Sequence, residues 1–354
     1  MLKLRRGTVT STNPLRVLVE GTERDAWADS ALVGEVREGD EVVVNVEAQD
    51  LRLGSGGFDV VHVNLTRGLE APGAGGAQVM KLNYTSLQHP VQPVEAVGDQ
   101  DEVPRKPPVL VIPLHGHLAP AAWAASEARA GLRVGFVQGA GGALPGTLSR
   151  DLDLLRERGV LCGHVTAGPA YGGEHEAINV VGGLDAAARR LNWEAIVVGP
   201  GPGLLGSETR LGHGGMAALD AAHAALSLGL PVLVSPRLSS SDPRPRHRGL
   251  SHHTASVLEL LLGTVRVPVP EAEVEGWPLL DAEAPEGGSP QAALDSLIEL
   301  CGGHHDIAVE PIDLDGYAAS GLPSTTMGRD IAADPLFFAG ALAAGRALAG
   351  AANG

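Results

Sequence analysis

The first part of the chain alternates apolar and polar positions in short runs broken by turn residues, a period of two that predicts β-strands. The runs are Gly7-Thr8-Val9-Thr10, Leu15 to Val19, Glu41 to Val46 and Asp59 to Asn64. Glu38-Gly39-Asp40, ahead of the third run, has the glycine and aspartate that a tight connection needs. Residues 1–94 are therefore expected to form a small all-β module, a barrel or a sandwich. Between Gly68 and Pro108 the chain is rich in Gly, Pro, Gln and Asp, with one ordered segment expected at Val79-Met80-Lys81-Leu82-Asn83-Tyr84. Residues 95–107 are expected to be a linker.

After Pro108 the pattern changes to apolar runs alternating with stretches of helical period, as βα units feeding a parallel sheet require. Strands are expected at Val109–Leu114, Arg133–Gln138, Leu161–Thr166, Ala195–Gly199, Pro231–Ser235, Val265–Val269 and Asp306–Ile312. Helices are expected at Ala121–Ala130, Leu148–Arg158, Ala177–Leu191, Gly215–Leu228, His253–Leu262 and Ala292–Leu300. The fold class is thus α/β, a doubly wound, mainly parallel, Rossmann-like sheet over residues 108–354, with too few strands for a closed eight-stranded barrel. Asp334-Pro335 starts a last helix, Phe337–Leu348, whose alanines and glycines allow close packing on the sheet or on a second subunit of a homo-oligomer. Arg346 and the scarcity of strongly apolar residues argue against a membrane span there.

Composition narrows the partners. The 26 basic against 42 acidic residues give a net charge of -16, which repels phosphate backbones and anionic lipid surfaces. Nucleic acid and membranes are accordingly not expected as partners. Cys162 and Cys301 lack the spacing of a metal finger or a redox pair, and Met1 to Gly7 leads into a charged strand instead of an apolar run. A cytoplasmic protein without a secretory signal is the expectation.

Right-handed crossovers would bring the C-terminal ends of all these strands to one rim, so the residues just past each strand are the candidates for chemistry. The loop after the fifth strand, Ser239 to Thr254, sets three arginines and three histidines within ten residues of an acidic chain and leads into a helix. Arg246 and Arg248 beside a helix N-terminus, with Ser251 and Thr254, suit a phosphate or carboxylate. The same arginines could instead pair with surplus carboxylates while Ser251 caps the helix. Thr326 and Arg329, in a hydroxyl-rich loop after the last strand, could complete the anion pocket or serve as capping residues.

His115-Gly116-His117 carries two imidazoles two residues apart at a strand end, a spacing that can chelate a divalent metal if Glu174, His175, Asp242 or His252 supplies further ligands. Loop histidines satisfied by backbone groups are the plain alternative. Leu114-His115-Gly116 is also similar to the oxyanion loop of α/β-hydrolases, but no Gly-x-Ser-x-Gly turn exists to complete that reading. Gly201-Pro202-Gly203-Leu204-Leu205-Gly206 formally matches a dinucleotide fingerprint, yet it follows the fourth strand and has proline second, so a close-packed turn touching the ligand through Gly201 and Gly203 is the safer reading. Gly54-Ser55-Gly56-Gly57 reads as a flexible turn more readily than as a phosphate cradle.

Val79-Met80-Lys81-Leu82-Asn83-Tyr84-Thr85-Ser86-Leu87-Gln88, the His115-Gly116-His117 loop and Arg246-His247-Arg248-Gly249-Leu250-Ser251-His252-His253-Thr254 together resemble a bacterial family known as domain of unknown function 3866. The resemblance spans nearly the whole chain and implies no activity, cofactor or catalytic residue. From the residues themselves two functions are expected to compete. One is an enzyme acting on a small anionic substrate, with His115, His117, His247, His252, Asp242 and Glu174 as acid, base or metal-ligand candidates and a divalent metal as the cofactor they would admit. The other is a non-catalytic metabolite sensor or scaffold whose β module meets a protein partner.

Overall fold

Eight valines, among them Val9, Val17, Val42, Val44 and Val61, fill the interior of the first unit. Six of them lie at alternate positions of β1 (Leu4–Thr12), β2 (Leu15–Val19), β4 (Glu41–Asn45) and β5 (Asp59–Asn64), with β3 (Thr22–Trp27) paired between β2 and β5; Val33 and Val46 come from the segments that follow β3 and β4. The five strands close into a barrel in the order β1-β2-β3-β5-β4, antiparallel except where β3 meets β5. Closure pairs every edge. Strand β3 escapes the hydrophobic pattern because Thr-Glu-Arg-Asp-Ala-Trp buries none of its positions fully; it is held by pairing on both sides. Short helices α1 (Ser30–Val33) and α2 (Glu47–Asp50) and a hairpin of β6 (Val79–Lys81) with β7 (His89–Val91) complete this unit.

The computed structural model describes residues 1–53, 57–70, 77, 79–96, 105–207, 209–271 and 290–352. These fall into two units, Met1–Gln92 and Pro93–Gly354. Gly54, Ser55, Gly56, Glu208 and residues 97–104 of the expected linker lie outside the described residues. Val94 and Glu95 belong to the second unit, where Arg190 donates to both of their carbonyls and Glu95 accepts the Ile178 amide.

The second unit is built on an open, wholly parallel sheet of eight strands: β8 (Val109–Val111), β9 (Val134–Gly139), β10 (Gly163–Ala167), β11 (His175–Ala177), β12 (Ala195–Pro200), β13 (Val232–Val234), β16 (Arg266–Pro270) and β17 (Asp306–Glu310). Their order is β11-β10-β9-β12-β8-β13-β16-β17. All seven expected strands are present; β11 is the addition, a three-residue edge strand too short and too polar to show a period. Two-stranded ribbons, β14 (Leu238–Ser239) with β15 (Gly249–Leu250) and β18 (Thr325–Thr326) with β19 (Arg329–Asp330), project from the loops.

Helices α5 (Val180–Arg189), α6 (Ala217–Ser227), α7 (His252–Leu260) and α8 (Pro290–Cys301) pack on one face, and α3 (Leu118–Ala128), α4 (Arg150–Glu157), α9 (Leu314–Ala319) and α10 (Pro335–Ala351) on the other. The chain leaves β8 toward α3 and leaves its neighbour β13 toward α7 on the opposite face, so the loops after these two central strands splay apart at a topological switch point. Helix α10 is buried almost all round within its own unit, and a Cβ placed on Gly345 would lie 1.9 Å from the Ala121 carbonyl oxygen of α3. Only glycine permits two helices to approach so closely. Among the described residues no helix is long and apolar enough to cross a membrane.

Candidate functional site

Strand β13 delivers Ser235 and Arg237 to the rim, and the β14–β15 ribbon pinches the following loop so that residues 240–248 form its tip. Ser251 then starts α7. Its Oγ accepts the His253 amide at 3.3 Å and lies 2.7 Å from His247 Nδ1, while Thr254 Oγ1 accepts the Arg237 amide at 2.8 Å. The β18–β19 ribbon brings Arg329 to the same place.

Asp242 is the hub of this tip. It is fully buried, and it accepts from Arg244 Nε and Nη2 at 2.9 Å each, from Arg237 Nη2 at 3.3 Å and from Arg329 Nη2 at 3.4 Å. Burial pushes its carboxyl up, but the Arg244 hydrogen bonds and the surrounding guanidinium charge outweigh that and hold it well below the usual carboxylate range. Arg329 Nε also reaches Asp334, which accepts from Ser239 Oγ and the Ser240 amide. Arg248 donates to the Asp242 and Pro243 carbonyls. Among the described residues, four guanidinium groups, those of Arg237, Arg244, Arg248 and Arg329, gather around the two buried carboxylates Asp242 and Asp334, so positive charge outnumbers negative there in an acidic chain. Arg237 is only 3% exposed, and burial lowers its guanidinium to about 10.

Beside Arg237 stands a group of four imidazoles. His213 arrives from the loop between β12 and α6 and stacks on His253 at 3.6 Å between ring centroids; His252 lies 5.2 Å from His213 and 4.5 Å from His253, and His247 lies 4.9 Å from His252. Burial lowers all four below the ordinary histidine value, with Arg237 adding to it in each and neighbouring imidazoles in His247, His252 and His253: His252 to about 4, His247 to about 3 and His253 to about 2. They are neutral at neutral pH. His213 Nε2 lies 3.0 Å from the Arg210 carbonyl, which can only accept, so its Nδ1 carries a bare lone pair. That Nδ1 and His252 Nε2 are buried without a hydrogen-bond partner.

His115 and His117 are at the same rim but do not face one ligand. His115 Nδ1 donates to the Pro200 carbonyl at 3.2 Å, which leaves Nε2 to accept from Ser149 Oγ at 2.6 Å. His117 Nδ1 is 2.8 Å from Ser235 Oγ, its ring packs edge-on against Phe337, and its buried Nε2 has no partner. The 3-10 turn at His115–His117 rotates the two side chains apart, so the expected chelate is replaced by two separate serine contacts. Glu174 is likewise elsewhere, paired with Arg156 at 2.8 Å on the surface. Gly201 sits in a close-packed turn where a Cβ would lie 2.3 Å from the Ala143 carbonyl oxygen, and Gly203 has a positive φ of 71°. Thr326 is buried beside Gly116. Thus His247, His252, Asp242, Arg248, Ser251, Thr254 and Arg329 are brought together with Arg246 on the same tip, whereas Glu174, His115 and the glycine turn are not part of that group.

The residues that sequence reasoning missed are His213, His253, Ser235, Arg237 and Ser149. Four of them stand at strand ends or in the loops that follow. His213 lies between a strand and the next helix, Ser235 and Arg237 follow β13, and His253 belongs to the arginine- and histidine-rich loop Ser239 to Thr254. Ser149 follows β9 only after a long glycine-rich turn, and its N-cap role on α4 disguises it.

The model of the family described as protein of unknown function DUF3866 matches residues 25–345, nearly the whole chain. The chain belongs to the DUF3866 family. Neither the curated proteins nor the solved structures contain a match. The DUF3866 match covers the imidazole group, the arginine loop and all but the first strands of the barrel.

Proposed function

We propose that this DUF3866 protein is an enzyme acting on a small phosphate- or carboxylate-bearing substrate at the C-terminal rim of its parallel sheet. The observation that carries the reading is the junction at Arg237, which touches His253 on one side and Asp242 on the other and so joins a surplus of guanidinium groups to four neutral imidazoles. Arg246 and Arg248 bind the anion from the loop tip, and Arg237 orients it toward the imidazoles. His247 and His252, held neutral by burial, exchange a proton with the bound substrate. A second reading, a metabolite sensor without turnover, is favoured by one observation: Arg244 and Arg248 already have carboxylate and carbonyl partners, as arginines that shape a loop would.

Calorimetry with inorganic phosphate, nucleoside phosphates and dicarboxylates tests the anion site. One anion is expected per chain, and the double variant Arg246→Ala/Arg248→Ala should bind roughly a hundredfold more weakly, since two charge-assisted contacts at about 1.5 kcal/mol each are lost. Unchanged affinity in the double variant would remove the anion site. Incubating each bound compound with the protein and following its consumption separates enzyme from sensor.

A further inference from the structure

We infer that His213, His252 and His253 form a binding site for one divalent transition-metal ion, zinc first among them, beside Arg237. One ring nitrogen from each of the three lies within 4.8 Å of the others. Tetrahedral zinc–imidazole bonds of about 2.0–2.1 Å put ligand nitrogens some 3.3 Å apart, so the cluster needs only a modest contraction. The inference rests on its own geometry and deepens the reading above by supplying that site with an electrophile; with His252 a ligand, His247 is the imidazole that exchanges the proton.

Three observations point to a ligand here. First, His213 Nδ1 is a buried acceptor that meets no donor, and His252 Nε2 is buried without any hydrogen-bond partner, an arrangement that costs free energy unless something fills it. Second, the ring orientation of His213 is set by its Nε2–H donating to the Arg210 carbonyl, the outer-sphere bond by which proteins aim a histidine at a metal. Third, Gly215 leaves the space between the rings open. A Cβ there would lie 3.0 Å from His213 Nδ1 and 3.1 Å from His253 Nδ1, so any side chain would crowd both lone pairs.

His253 Nδ1 accepts from Arg237 Nη1 at 3.3 Å. The ion takes over that lone pair, and the guanidinium turns toward whatever anion shares the site. His213 and His253 are stacked 10° from parallel, so their in-plane lone pairs run side by side, and binding one ion requires the two rings to tilt toward it. Three neutral nitrogens leave an open position, and an ion so held acts as a Lewis acid toward an oxygen of the anionic substrate. Zinc and cobalt(II) suit an all-imidazole set, whereas magnesium and calcium prefer oxygen ligands.

The test uses the full chain, stripped with a chelator and titrated with Co2+ alone, then with Zn2+ in competition. One Co2+ per chain with visible ligand-field bands is expected, displaced by Zn2+. His252→Ala and His252→Gln are the leading variants, because His252 is half-buried and its loss endangers the fold least; His213→Ala and His253→Ala follow, each with a thermal melt of the metal-free protein. Each should weaken Co2+ by about a hundredfold or more, beyond the ten- to hundredfold that loss of an outer-sphere partner costs. His62→Ala, in the barrel unit, should leave affinity unchanged. A wild-type chain that takes up neither ion, or folded His252 variants that bind Co2+ as tightly as wild type, would overturn the site. Phosphate calorimetry on the stripped and loaded protein separates the two readings: metal uptake without anion binding defeats the proposed substrate class alone, and anion binding without metal uptake defeats the metal site alone.

Discussion

Asp40 in the barrel unit and Asp242 in the α/β unit are both carboxylates sealed from solvent, yet they stand in opposite electrostatic company. Asp40 has one guanidinium, that of Arg67, which donates through Nε at 2.9 Å and Nη2 at 2.6 Å; the Arg37 amide and Asn64 Nδ2 complete its shell at 2.9 Å each. Charge is balanced one to one, and every lone pair is used. Such a group ties β4 to the turn after β5 and has nothing left to offer a ligand. Asp242 shares three guanidinium groups, and next to them lie imidazole nitrogens with no partner at all. The contrast separates a buried charge that holds a fold together from one that anchors a surplus, and a surplus with unfilled acceptors beside it is where a small molecule can improve on the empty protein.

Removing the anchor carboxylate should have the largest effect. Asp242→Asn leaves three guanidinium groups confined together, and the α/β unit should lose about 3–5 kcal/mol, as when one partner of a buried ion pair is deleted. Added phosphate should then raise the melting temperature of the variant more than that of wild type, because the anion replaces the missing charge. A loss below about 1 kcal/mol, with no extra response to phosphate, would make the arginine group ordinary surface charge.

In the barrel, Asp40→Asn should cost about 1.5–3 kcal/mol, the range for hydrogen bonds to a charged group, with no response to phosphate. Hydrogen exchange of the β1–β5 amides in the full chain reads this unit separately. Its pH dependence has a defined sign. The Arg67 hydrogen bonds hold the Asp40 carboxyl at about 2 against an ordinary 3.8, although burial opposes them. The unfolded chain takes the proton first, so this contribution is whole above pH 3.8 and is lost as pH falls through about 2. The Asn variant should lack that acid limb.

The α/β unit should weaken at far milder acidity, because it also buries neutral imidazoles. Burial, with His115 and Arg156 adding to it, lowers His164 to about 3 from 6.5, and its Nε2 has no partner. Acidification below 6.5 therefore favours the unfolded chain, which protonates freely, until the folded group also titrates near 3. At pH 5 this one residue should cost about 2 kcal/mol, and His164→Phe, which keeps the stack on Phe136, should flatten the stability curve between pH 7 and 5. A curve as steep as that of wild type would assign the acid sensitivity elsewhere.

The smallest effect on folding belongs to Arg246→Ala/Arg248→Ala. Both side chains lie on the loop tip, and the double variant should unfold within about 0.5 kcal/mol of wild type while losing its anion. Loss of stability with retained anion affinity would move these arginines to the structural side of the comparison.

Local pattern alone determined much of this DUF3866 protein. Period-two valines specified the barrel strands, buried apolar runs specified seven of the eight parallel strands, and the strand-then-helix rhythm placed the strand-end loops on one rim. Those features are written in neighbouring residues, so one stretch of chain suffices to read them. Strands β3 and β11 were illegible because pairing rather than burial holds them. The arginine loop stood out for a similar local reason, as a basic cluster in an acidic chain. Which groups share a ligand was decided only by tertiary structure. His115 and His117 are two residues apart in sequence, yet a tight turn points them at different serines; His213 and His253 are forty residues apart, yet they stack. The direction of a side chain depends on the turn beneath it, and its partners depend on which strand lies alongside. Neither is a property of sequence spacing.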